Sequence, residues 1–120
     1  MGTPLAQRHC VVCKPGTPPL PRADVDALLT QLSGWSVEQA GDHLRLTKTF
    51  KFKGFMPGVE LVNRIAAIAE AEGHHPDLLV SWGLVTVQLW THAAGGLTEN
   101  DLIMAARIDE VAPALLPQRP

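Results

Sequence analysis

EAEGHHPDLLVSWGLVTVQLWTHAAGGLTEND, residues 70–101, holds three of the chain's five histidines and the signals that decide the fold. Gly73 stands where a helix ending near Glu72 would place a C-cap glycine. Pro76 biases His75 toward an extended backbone, so the His74-His75 pair leaves the helix and leads into a strand. Asp77 to Ser81 and Leu84 to Thr91 read as two strands joined at Trp82-Gly83. In the second, Val85, Val87 and Leu89 share one face, suited to a helix-covered side. Thr86, Gln88, Trp90 and His92 share the other, suited to an open side that lines a cleft. His92 falls where the strand runs out, ahead of Ala93-Ala94-Gly95-Gly96. Thr98, followed by Glu99, Asn100 and Asp101, starts a helix with Thr98 as N-cap and Asp101 as a first-turn carboxylate supporting it.

Upstream, Phe55, Val59, Val62, Ala66 and Ala69 make a helical stripe widened by Leu61, Ile65 and Ile68, with Pro57 tolerated in the first turn. Before it, residues 43–52 alternate. Leu44, Leu46, Phe50 and Phe52 point one way, while Arg45, Thr47, Thr49 and Lys51 point the other, and Lys48 interrupts the apolar row. Ala40-Gly41-Asp42 supplies a turn back to a short strand over Trp35–Glu38. Val25, Leu28, Leu29 and Leu32 predict a first helix, entered at Pro21 and closed by Gly34. Leu102, Ala105, Ala106, Ile108, Val111, Ala112 and Leu115 carry the last helix to about Leu116, and Pro117 and Pro120 mark a loose end. The order is α-β-β-α-β-β-α. It predicts an α+β single domain over residues 22–116, a four-stranded antiparallel sheet with helices packed on one face, preceded by an extended arm over residues 1–21. An open edge on so small a sheet invites a second copy, so a homodimer or homotetramer is expected.

Composition excludes several classes of function. At 120 residues and 46% hydrophobic content the chain suits one globular domain. A net charge of −2 offers no broad positive field for a phosphate backbone, so no nucleic-acid partner is expected. Lys48, Lys51 and Lys53 alternate with aromatics and read as a solvated strand face. No apolar run approaches the roughly 20 residues that span a bilayer, and the start has no apolar signal region. No membrane association is expected, and the cytoplasm is the expected location. Cys10 and Cys13 cannot build a disulfide framework, and Lys14-Pro15-Gly16-Thr17-Pro18-Pro19 cannot open the helix that a redox pair uses. A zinc site would need two more ligands, with His9 the only obvious neighbour. Two free thiols on a flexible arm is the reading.

Three imidazoles in one unit raise proton chemistry and metal binding. Adjacent residues in extended chain point oppositely, so His74 and His75 are poorly placed to chelate one ion. The nearby acids supply no ligand spacing, so no metal is expected. No serine or cysteine nucleophile accompanies the histidines, and neither G-x-x-x-x-G-K-[ST] nor G-x-G-x-x-G occurs. General acid–base work on a small ring compound remains, for which imidazole, ionising near neutral pH, is suited. His9 and His43 read as surface residues.

Glu70, three residues, His74-His75-Pro76, five residues to Trp82, nine to His92 and eight to Asp101 resemble the signature of pterin-4a-carbinolamine dehydratases. Weaker resemblance runs over residues 10–116: the Cys-x-x-Cys arm leading to Pro18-Pro19-Leu20, Gly34-Trp35, and Phe50-x-Phe52 are similar to bacterial members. The resemblance implies loss of water from 4a-hydroxytetrahydropterin to give quinonoid dihydropterin, recycling the cofactor of aromatic amino acid hydroxylases. It implies His74 and His92 as acid–base groups, His75 holding the pterin, and Pro76, Trp90, Thr91 and Ala93 lining the ring. It implies no cofactor, the pterin being substrate, and a metal-free homo-oligomer. Alternatives are a non-catalytic or differently specific pterin-binding protein, such as one related to molybdenum cofactor, or a coactivator that binds a homeodomain protein. Ala93 departs from the glutamate that often follows the third histidine in animal members. Trp90 stands where smaller residues are usual, and would narrow the cleft or stack on the ring.

Overall fold

A computed structural model describes residues 3–116. Its elements are helix α1 (Arg22–Leu29), strands β1 (Ser36–Ala40) and β2 (His43–Lys51), helix α2 (Met56–Glu72), strands β3 (Asp77–Ser81) and β4 (Leu84–Leu89), and helix α3 (Glu99–Val111). The α-β-β-α-β-β-α order and α+β class are those the patterning predicts. The sheet has the order β1-β2-β4-β3 with every pairing antiparallel, so two hairpins meet along β2 and β4.

Register puts the apolar residues on one side. Leu46 opposes Leu89 and Phe50 opposes Val85. These four, with Val87, are buried beneath α2 and α3. On α2 the buried positions are Gly58, Leu61, Ile65 and Ala69, so Leu61 and Ile65, expected to widen the stripe, form its centre together with the expected Ala69. Phe55 is 46% exposed. The centre of the buried face is shifted by about one residue from that of the expected stripe, toward the side that includes Gly58. A Cβ there would come within 3.0 Å of Val85, so glycine permits the helix to lie close on β4.

Lys48 interrupts the apolar row but still lies on the covered face, opposite Val87. Its ammonium reaches Asp109 Oδ1 and the Ser33 carbonyl, each at 2.8 Å, and stands 4.8 Å over the Phe50 ring. Trp35 Nε1 donates to the other Asp109 oxygen at 2.9 Å. A cation is tolerated in this layer because each of its neighbours compensates it.

Two helix limits are shorter than the apolar periodicity predicts. α1 stops at Leu29, and Leu32 packs from the following loop. Gly34 is therefore no C-cap; it lies against the Lys48 side chain. α3 gives way after Val111 to a 3-10 turn over Ala112–Ala114, where Pro113 removes a helix donor. β4 ends at Leu89 rather than Thr91. The expected loose end at Pro117 and Pro120 lies outside the described residues.

The N-terminal arm is docked rather than free. Leu5, in a 3-10 turn over Leu5–Gln7, is 1% exposed within the core cluster. Arg107 Nε donates to the Arg8 carbonyl at 3.0 Å, and Arg8 pairs with Glu99 at 2.6 Å. Both thiols are unpaired, as expected. Among the described residues no helix is long and apolar enough to cross a membrane.

Candidate functional site

Local signals bring the histidines to one place. Gly73 closes α2 in a left-handed conformation (φ 66°, ψ 28°), which Cβ-bearing residues resist, and turns the chain off the helix axis. His74 then faces inward, its side chain 12% exposed, while His75 faces outward at 60%. His75 Nε2 lies 3.5 Å from Glu70 Oε1. The opposite directions expected of adjacent extended residues are observed.

At the other end of the hairpin, Thr91 and Gly96 form an isolated bridge that closes a small loop, and His92 begins a 3-10 turn inside it. A cleft of about 440 Å³ opens between the two segments. His74, His75 and Pro76 line one side, and Trp90, His92 and Ala93 the other. All three histidines singled out in the sequence thus border one cavity, of a size ordinary for a small-molecule site.

Asp101 is fully buried, and its carboxylate has three polar partners. Its Oδ1 lies 2.6 Å from His74 Nε2. Its Oδ2 accepts from the Thr91 hydroxyl at 2.8 Å and from the Thr98 N–H at 2.9 Å. The helix-capping role expected of Asp101 is present, and the contact with His74 is additional. Buried and fully bonded, the carboxylate holds the His74 ring in one orientation. It also selects the tautomer with the proton on Nε2, which leaves Nδ1 to act on a ligand. Thr91 touches the cleft, but its hydroxyl is committed to Asp101 and Thr98.

His43 is no isolated surface residue. Its ring stacks on Trp90 at 3.6 Å with planes 17° apart, and the His92 ring lies 3.7 Å from Trp90. Two rings this close to one indole cannot share a face, so Trp90 is sandwiched between them. Trp90 therefore has no free face for stacking on a ligand; it forms a wall of the cleft and supports His92. His43 was missed because only tertiary pairing of β2 with the end of β4 brings it there.

His9 also has a partner. Its Nδ1 lies 2.9 Å from Glu72 Oε2, while Glu72 Oε1 accepts from the Cys10 N–H at 2.8 Å. Burial alone would raise the Glu72 carboxyl, but the Cys10 N–H, His9 and Arg107 outweigh it and hold it below the usual range. Cys10 goes the other way. Burial, then the nearby Glu72 carboxylate, pushes its thiol up to about 12. No group of three His, Cys, Asp or Glu side chains among the described residues could hold a metal ion.

Comparison with known proteins gives the family. Residues 18–111 match the family model described as pterin 4 alpha carbinolamine dehydratase. A protein of Rickettsia bellii, provisionally named a pterin-4-alpha-carbinolamine dehydratase, is 47% identical over 106 residues, covering 88% of this chain and 91% of its own. One from Rickettsia canadensis with the same name is 45% identical, covering 89% and 96%. Among solved structures, a transcriptional coactivator/pterin dehydratase from Brucella melitensis is 31% identical with a TM-score of 0.72, covering 78% of this chain and 98% of that one. A pterin dehydratase-like protein described as a RuBisCO assembly factor in the alpha-carboxysome is 26% identical with a TM-score of 0.56, covering 67% and 90%. This chain belongs to the pterin 4 alpha carbinolamine dehydratase family.

Proposed function

We propose that the chain dehydrates 4a-hydroxytetrahydropterin to quinonoid dihydropterin by general acid–base catalysis, using His74 and His92 with His75 as a binding group. The observation that carries the reading is one cleft bordered by three imidazoles, one of them braced by a buried carboxylate. The reaction moves two protons and two bonding pairs, the N5–H pair into the new double bond and the C4a–O pair onto the leaving oxygen. His74 Nδ1 takes the N5 proton, the freed electron pair forms the C4a–N5 double bond, and the C4a–O bond breaks. His92 gives its proton to the departing hydroxyl, which leaves as water. No oxidant or metal is needed for the balance.

Asp101 suits His74 to the base role, because the carboxylate offsets the positive charge that the ring acquires. His92 is exposed on the opposite wall and is open to reprotonation from solvent. Its backing by Trp90 limits the ring's freedom, so less entropy is lost on reaching the reactive pose. Pro76 and Ala93 complete the walls, and Ala93 brings no carboxylate of its own.

Recycling of the pterin cofactor of aromatic amino acid hydroxylases follows as the proposed use. Of two structural relatives, one is described as both a transcriptional coactivator and a pterin dehydratase, the other as a RuBisCO assembly factor. The histidines facing the cleft here favour catalysis. A stopped-flow assay following conversion of chemically generated 4a-hydroxytetrahydropterin separates the readings. A catalyst accelerates conversion well above the buffer rate, whereas a binding module or scaffold leaves it at that rate.

The same reading includes a homo-oligomer. β3 is an edge strand, with Leu79 63% and Trp82 75% exposed beside it. An unpaired edge with large apolar side chains suits a second copy. Sedimentation of wild type and Leu79→Lys tests this, and a wild-type monomer would refute it.

A further inference from the structure

The outer wall of the cleft is built by the N-terminal arm. Val11, Val12 and Cys13 line the cavity with the histidines, although they precede the segment that matches the family model. They are held at both ends. Asn100, buried at the start of α3, accepts from the Val11 N–H at 3.0 Å and donates to the Val11 carbonyl at 2.6 Å. Beyond Cys13, the Gly16 N–H donates to the Ala93 carbonyl at 3.1 Å, next to His92. The segment therefore runs from the helix that carries Asp101 to the loop that carries His92.

Its side chains point where a ligand would cover them. Val11 is 71% and Val12 94% exposed, unusual for valines in a segment whose backbone is so well bonded. The two valines offer apolar contact to a ring held between the strap and the histidines.

We propose that Val11–Cys13 is a strap forming the outer wall of the pterin site and covering the bound ring with apolar side chains. The inference rests on the pterin reading of the cleft and adds to it a segment that grips the ligand without taking part in proton transfer.

The test uses the full chain and 7,8-dihydropterin, a stable reduced pterin. Binding is followed by quenching of tryptophan fluorescence, and alkylation of each cysteine by iodoacetamide is followed by peptide mass spectrometry. Burial and the carboxylate of Glu72 make Cys10 a poor nucleophile, so the Cys13 signal is separable. Saturating pterin is expected to slow alkylation of Cys13 about tenfold, and Val11→Ser with Val12→Ser to raise KM about tenfold with kcat little changed. Because both valines are exposed, the variant should melt with wild type, so a KM effect is not unfolding. Quenching with undiminished Cys13 alkylation overturns the strap while sparing the pterin site, as does an unchanged KM in the double variant. Absence of quenching overturns the pterin reading and the strap together.

Discussion

His74 Nε2 and Asp101 Oδ1 lie 2.6 Å apart, joining the end of one helix to the start of another through a carboxylate that solvent does not reach. Each partner is ordinary in its local setting, one following a C-cap glycine and the other sitting in the first turn of a helix. Together they form a dyad resembling those that orient catalytic histidines elsewhere.

Asp101→Asn keeps an oxygen for the Thr98 N–H but removes the charge behind His74 and allows an amide to face Nε2. We expect kcat to fall about 10- to 100-fold, the scale for losing a group that orients an acting histidine. Loss of stability should stay near 1 kcal/mol, as for a weakened helix cap. Steady-state dehydration rates and thermal melts measure the two effects separately. A rate unchanged in a folded variant would show that the carboxylate serves only the helix.

Trp90 supports His92 on one face and His43 on the other. Trp90→Phe retains an aromatic face and should stay within about threefold of wild-type kcat, whereas Trp90→Leu should fall roughly tenfold, the upper end of what an aromatic pair contributes. If the phenylalanine and leucine variants lose activity equally, ring stacking is not what positions His92.

Glu72 ties the arm to the end of α2, and its folded carboxyl ionises below the ordinary value of 4.5. A depressed folded pKa contributes stability above the unfolded pKa, and that contribution is lost as pH falls through the folded value. Wild type should therefore melt above Glu72→Gln at about pH 6, with the gap narrowing as pH falls below the ordinary value of 4.5. Melting curves across this pH range check this. A gap that stays constant would mean the charge on Glu72 does not hold the arm.

Most of the fold was legible because its signals are local. Gly73 ends α2, Thr98 starts α3, and the alternation of Val85, Val87 and Leu89 orients β4 without reference to the rest of the chain. The histidines could be grouped because the same short unit contains the helix end and the strand end. What was not legible depends on pairing distant in sequence. His43 meets Trp90 only through the β2–β4 ladder, and Asp101 meets His74 only once α2 and α3 lie together. The arm has no periodicity to read, because its attachment rests on one buried leucine and several bonds to side chains of α2 and α3. Leu32 was misleading because an apolar residue packs as well from a loop as from a helix.

The most direct measurement is the single-turnover rate of 4a-hydroxytetrahydropterin dehydration by wild type, His74→Ala and His92→Ala, each verified as folded. Removal of a general acid or base should slow the chemical step about 10²- to 10⁴-fold in either variant. Rates equal to wild type in both would contradict acid–base catalysis by the two imidazoles across this cleft.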